Sequence, residues 1–219
     1  IINALDAKNP TQYNEFPSLG EDGMIKIQDL VGKDYNDPLW DEVLKRITAE
    51  EMINLFNKGA FQTVDILSIG KPKTIEADGP NGFVNFMSSP TTGAVYGTSH
   101  YASMPIMAAT FNADLLFAYG EAVGDEALIG DERGDGTVYS GWYAPGLNLH
   151  RSPFGGRTGE YFSEDPYLSG ILGANQIKGA SSKGVYSLVK HFAVNEQETS
   201  RSGVPIHLNM QLKKVKQLV

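Results

Sequence analysis

The chain has 219 residues, with 18 Lys plus Arg against 26 Asp plus Glu, a formal net charge of −8, 41% hydrophobic residues and no cysteine. That much apolar material supports a core and excludes wholesale disorder, while the acidic excess argues against nucleic-acid or anionic-membrane partners, which need clustered Lys and Arg. The lack of cysteine excludes a disulfide scaffold, thiolate metal sites and cysteine nucleophiles, and no run approaches the roughly 18 apolar residues of a membrane span.

Residues 1–36 read as an extended lead-in or linker, because Asn9-Pro10, Phe16-Pro17, Gly20 and Gly32 interrupt any period. The chain opens at Ile1 with no charged n-region and no h-region, so no signal peptide is visible and a cytoplasmic location is favoured; the missing initiator Met suggests an excerpt or a processed chain. Asp37-Pro38 opens a helix carrying Leu39, Trp40, Val43, Leu44 and Ile47 at helical spacing. Thr48 and Glu51 match a capping box, and Met52, Leu55 and Phe56 continue that second helix to Gly59. Residues 74–77 read as a strand ending in the turn Asp78-Gly79-Pro80, and residues 103–108 as a further strand. Asn112 caps a helix that runs to about Leu128. A strand follows around Trp142-Tyr143-Ala144, then a helix from near Pro166 that ends before Gly184, then a buried strand over Val185–Val189. Strands alternating with helices of this length imply βαβ units and a parallel sheet, in an α/β barrel or a doubly wound fold.

Parallel α/β folds bind ligands at the carboxyl ends of their strands. Asp78 follows the first strand; Asn148, His150, Arg151, Gly156 and Arg157 follow the second; Lys190, His191, Asn195, Glu196, Glu198 and Arg201 follow the last. Such a rim grips several hydroxyls or one anion, and a sugar site and a phosphate or carboxylate site fit equally well on spacing. Trp142, Tyr143, Tyr161 and Phe162 are candidates for the apolar faces a sugar needs. Each polar residue also has a plain structural reading. Asp78 can brace its turn, Arg157 can pair with Glu160, Glu164 or Asp165, Asp165-Pro166 resembles a helix-entry device, and His150 suits a satisfied core histidine. Lys190 is harder to explain structurally, since a lysine after an apolar strand must reach a partner or a cavity. His100 and His207 carry no local pattern and read as surface residues.

Other chemistries fall away. There is no Gly-x-Ser-x-Gly elbow, and the four histidines lack metal-ligand spacing, so neither metal nor cofactor is expected. Residues 131–142 fail as a calcium loop because Arg133 and Trp142 occupy ligand positions.

Three segments resemble the signatures of glycoside hydrolase family 3. They are Ala144 to Pro153 running through Gly156-Arg157 to Pro166, then Lys190-His191-Phe192-Ala193-Val194-Asn195-Glu196-Gln197-Glu198, then Asp78-Gly79-Pro80-Asn81-Gly82. The first is more than twenty residues long and highly specific, and the resemblance runs from about Trp40 to Arg201. It implies a retaining exo-acting glycosidase of the β-glucosidase or β-xylosidase type, acting on β-linked oligosaccharides or glycosides, with a TIM-type barrel and an α/β sandwich. It implies a −1 sugar subsite in which Asp78 accepts from sugar hydroxyls while Arg157, Lys190, His191 and Arg201 donate to or fix the others. Glu196 departs from the family, where Asn is common, and places an extra carboxylate beside the site.

Retaining hydrolysis needs two carboxyl groups about 5–5.5 Å apart. The family's nucleophile is an Asp within a Ser/Thr-Asp-Trp/Tyr segment, and neither Trp40 nor Trp142 follows an Asp. The expectation is therefore the first half of a partial (β/α)8 barrel over residues 37–205, with an atypical basic tail over 206–219. A complete barrel takes about 250 residues. Nucleophile and acid/base are expected outside the chain, with the rest of the barrel and the sandwich domain as partners. A non-catalytic sugar-binding or complementing module, and a pseudo-enzyme, are the alternatives.

Overall fold

The computed structural model describes residues 18–84, 98–130, 138–191, 195, 197–199 and 201. Lead-in residues 1–17, residues 131–137, Glu196, His207 and the basic tail 206–219 lie outside the described residues. The chain divides into two compact units, Ile1–Thr74 and Ile75–Val219.

The first unit contains α1 (Leu39–Leu44), α2 (Ala49–Asn57), β1 (Gln62–Thr63) and single 3-10 turns at Ile27–Leu30 and Leu67–Ile69. Its core is Leu30, Val43, Ile47, Ile66 and Ile69, with Ile25, Ile27, Leu39, Trp40, Met52 and Leu55 packed around them. The extended reading of the lead-in fails here: Ile25, Ile27 and Leu30 join this core instead of spanning solvent. The backbone is tied down as well, since Gly20 N–H donates to Ile47 O at 3.1 Å and Lys26 Nζ to Ser68 O at 3.0 Å. Apolar residues only two and three apart give no recognisable period, yet suffice for one turn of 3-10 helix.

The capping box forms as expected. Glu51 N–H donates to Thr48 Oγ1 at 3.2 Å and Thr48 N–H to Glu51 Oε2 at 2.9 Å. Glu51 Oε1 also accepts from Ser68 N–H at 2.9 Å, fastening the 3-10 turn Leu67–Ile69 to the start of α2. Burial pushes the Glu51 carboxyl up, but the Thr48 and Ser68 donors outweigh it and bring it down to about 2.

In the second unit β2 (Thr74–Asp78), β3 (Tyr139–Tyr143) and β4 (Tyr186–Ser187) lie in that order and run parallel, with Asp78 opposite Tyr143 and Trp142 opposite Ser187. The crossovers carry α3 (Met104–Ala108) and α4 (Ala113–Ile129), then α5 (Pro166–Ser182). This is an α/β fold, and these three strands do not by themselves close a barrel. Its core gathers Phe83, Met104, Leu116, Tyr119, Val123, Trp142, Phe162, Leu172 and Val185. Helices α4 and α5 approach to backbone contact through glycines. A Cβ on Gly120 would sit 2.2 Å from Gln176 O, and one on Gly179 2.1 Å from Phe117 O.

Two expected elements differ. Residues 104–108 are helical, not extended; Ser103 is the extended N-cap residue, and Pro105 in the first turn favours a helix. The strand expected over 185–189 is two residues long, and only Val185 is buried, with Tyr186 and Val189 each 40% exposed. An apolar run alone does not say which of its residues meet a neighbour.

Candidate functional site

The loop after β2 is built around two glycines. Gly79 and Gly82 have φ of +115° and +116°, and a Cβ would lie 1.9 Å from Gly82 O and 2.1 Å from Ser99 O respectively. Only glycine fits both the backbone conformation and the space. Neighbouring side chains then fix the loop. Trp142 Nε1 donates to Gly79 O at 2.8 Å, Tyr119 OH donates to Pro80 O, and Asn81 Nδ2 donates to Ala102 O at 3.0 Å. Asp78 is held at the mouth of the strand, its Oδ1 accepting from Gly79 N–H at 2.7 Å.

The end of the last strand is laid against the chain after β3. Lys190 N–H donates to Pro145 O at 3.0 Å and Leu147 N–H to Lys190 O at 2.7 Å. Buried Asn148 accepts the His191 N–H on Oδ1 at 2.8 Å. The Lys190 side chain, largely buried, then reaches Asp78 Oδ1 at 2.6 Å and Glu160 Oε2 at 3.1 Å. Arg157 grips Glu160 with both arms, Nε to Oε1 at 2.6 Å and Nη2 to Oε2 at 3.0 Å, the bidentate geometry that makes such pairs strong. Glu198 lies 3.6 Å from Arg157 Nη1 and accepts from Arg201 Nη1 at 3.2 Å.

Asp78, Arg157, Glu160 and Lys190 line one pocket of about 340 Å3, together with the glycine loop and His100. Its two cations face two carboxylates, so the site offers donors and acceptors with no excess positive charge. Burial alone would push the Glu160 carboxyl up; the Arg157 hydrogen bond and the Lys190 charge prevail and hold it below the usual carboxylate range. Donating to the Glu160 carboxylate in turn raises Arg157. His191 is lowered, first by burial and then by the Arg157 and Lys190 charges, against the opposing pull of Glu160 and Asp78. No group of three or more His, Asp or Glu side chains able to hold a metal occurs among the described residues.

Of the five expected site residues, Asp78, Arg157 and Lys190 meet in the pocket. His191 stands beside them, its Nδ1 2.9 Å from Tyr161 OH, while Arg201 is exposed and tied to Glu198. Glu160 is more than a loop brace, since it joins Arg157 to Lys190; the three-residue spacing from Arg157 was the visible half of that signal. His100 is exposed, as expected, but lines the pocket, which no local pattern announces. The aromatic faces are corrected. Trp142, Tyr161 and Phe162 are 0%, 3% and 1% exposed and belong to the interior, not to a sugar platform. Structural readings hold for two others: His150 Nε2 lies 3.0 and 2.9 Å from the Thr158 and Tyr161 carbonyls, and Asp165 caps α5 by accepting from Tyr167 N–H at 2.8 Å.

Residues 58–217 match the glycosyl hydrolase family 3 N-terminal domain. The chain belongs to that family. It is 39% identical over 169 residues to β-glucosidase B of Emericella nidulans, covering 77% of this chain and 19% of that protein. It is 34% identical over 152 residues to β-glucosidase A of Butyrivibrio fibrisolvens, covering 69% and 16%. Among solved structures, a β-glucosidase from Paenibacillus barengoltzii aligns over 84% of this chain and 20% of its own, with a TM-score of 0.65 and 29% identity. β-Glucosidase 3B from Thermotoga neapolitana, in complex with α-D-glucose, aligns over 63% and 18%, with a TM-score of 0.53 and 35% identity. The chain thus spans about a fifth of the length of these family 3 β-glucosidases.

Proposed function

We propose that this chain supplies the −1 sugar subsite of a retaining exo-β-glycosidase of the β-glucosidase or β-xylosidase type. The observation that carries the reading is the ion-paired chain of four residues Asp78–Lys190–Glu160–Arg157 lining a pocket of about 340 Å3. Alternating carboxylates and cations present acceptors and donors side by side, which is what vicinal hydroxyls require. A phosphate or carboxylate would instead demand unspent positive charge, and here both cations are already paired. The volume lies at the small end of ligand pockets and suits a single sugar ring. Family membership and the complex of a related β-glucosidase with glucose support the same reading.

The catalytic pair comes from elsewhere in this proposal. Glu160 is held ionised by Arg157 and Lys190, which suits binding and denies it a general acid's proton, while Asp78 is engaged by the Lys190 ammonium at 2.6 Å. The described strands would then form the first part of a (β/α)8 barrel, completed by the remaining βα units, with the sandwich domain beyond. The same ion-paired carboxylates equally suit a sugar-binding module that complements another chain. Titration of this chain with glucose, alongside an assay for aryl β-glucoside hydrolysis, tests the proposal. Binding without hydrolysis is expected; hydrolysis by this chain alone would overturn the assignment of the catalytic pair, and failure of folded chain to bind glucose would overturn the subsite.

A further inference from the structure

Tyr161 is buried, and its hydroxyl lies at the centre of a small network beside the pocket. Asn195 Nδ2 donates to the hydroxyl oxygen at 3.2 Å. The hydroxyl lies 2.9 Å from His191 Nδ1 and 3.4 Å from Asn195 O. A phenol carries one proton to give and accepts on the lone pairs that remain. With an amide already donating into its oxygen, the proton goes to the nearer acceptor, which is His191 Nδ1. An imidazole that accepts at Nδ1 must carry its own proton at Nε2. The other contacts of His191 reinforce the placement. Its backbone N–H is fixed by buried Asn148, and the Tyr161 ring meets the imidazole edge to face, with centroids 6.1 Å apart. Among the described residues, Nε2 has no hydrogen-bond partner. Burial also holds the Tyr161 phenol above its ordinary range, so its proton stays in place.

We infer that Tyr161 is a positioning residue that locks His191 in the Nε2–H tautomer through its hydroxyl, turning the imidazole into a fixed hydrogen-bond donor for a hydroxyl-bearing ligand. The lock matters because a free neutral imidazole exchanges donor and acceptor between its two nitrogens. A ligand oxygen that needs a donor would then meet the wrong tautomer part of the time. The inference rests on the sugar-subsite reading only for the identity of that ligand; the tautomer itself follows from the network.

The test is 15N–1H correlation of the His191 ring in the 219-residue chain and in Tyr161→Phe. Phenylalanine keeps the ring that fills the interior and removes only the hydroxyl. In the wild-type chain Nε2 is expected to carry the proton with at least tenfold preference over Nδ1. In Tyr161→Phe the ratio falls severalfold and the imidazole titrates at higher pH, because its neutral form has lost a donor. The charged groups around it, Arg157 and Lys190 on one side of the balance and Glu160 and Asp78 on the other, are unchanged by the substitution. A wild-type ring protonated at Nδ1, or a tautomer ratio and titration untouched by Tyr161→Phe, would overturn the inference. A packing role alone moves neither readout. Because no sugar is present, failure of glucose to bind would count against the subsite and leave this result standing.

Discussion

Lys190 Nζ meets Asp78 Oδ1 at 2.6 Å across 112 residues of chain, joining the end of the last parallel strand to the end of the first. The contact is short because both ends are prepared. Asp78 is set by a glycine loop that admits no side chain, and Lys190 is held by backbone bonds on either side to residues 145 and 147.

Replacing that ammonium should cost stability as well as binding. In Lys190→Met, Asp78 loses its cation and Glu160 keeps only Arg157. Removing one partner of a fully buried pair costs about 3–5 kcal/mol, and partial exposure of both carboxylates reduces that to about 2 kcal/mol here. Urea unfolding of the two chains measures it, and a loss under about 0.5 kcal/mol would mean that the pair is decorative.

The glycines divide into two groups by what a methyl group would meet. Gly79→Ala places a Cβ against Gly82 O at a positive φ and is expected to destabilise by at least about 2 kcal/mol while displacing Asp78. Gly170→Ala, inside α5 with nothing within 4 Å of its Cβ, is expected to stabilise by about 0.5–1 kcal/mol. Thermal unfolding of both variants checks the opposite signs.

The capping box of the first unit should show in the pH dependence of its stability. The Glu51 carboxyl falls from 4.5 to about 2 on folding, so its contribution is complete above pH 4.5 and disappears as pH falls toward 2. Glu51→Gln should remove the part of the stability slope between those limits that this group supplies. Thr48→Ala, which removes the cap but keeps the carboxylate, is expected to cost about 1 kcal/mol near neutral pH. Denaturant melts at several pH values compare the three chains.

Tyr119 ties the core to the loop by donating to Pro80 O, and burial holds its phenol well above the ordinary value. Tyr119→Phe leaves that carbonyl without its donor and is expected to cost about 1–2 kcal/mol, read by the same melts.

What the sequence revealed was mostly local. Thr48 with Glu51, Asn112 and Asp165 are helix starts whose partners lie within three residues, so chain order alone exposes them. Asp78, Arg157 and Lys190 were legible because parallel strands place their carboxyl ends side by side. The double role of Glu160 was not, since its second partner lies thirty residues on in Lys190. The burial of Trp142, Tyr161 and Phe162 was equally hidden, because an aromatic residue after a strand serves core or ligand depending on which side the helices cover. The 3-10 turn at Ile27–Leu30 and the short helix at Met104–Ala108 hold too few residues for a period to emerge.

The sugar subsite is tested most directly by calorimetric titration of glucose into this chain and into Lys190→Met, with folding of both confirmed beforehand. Saturable one-to-one binding by the wild-type chain, reduced at least tenfold in Lys190→Met, is the expected result. Folded wild-type chain that does not bind glucose, or binding that survives the loss of Lys190 unchanged, would contradict it.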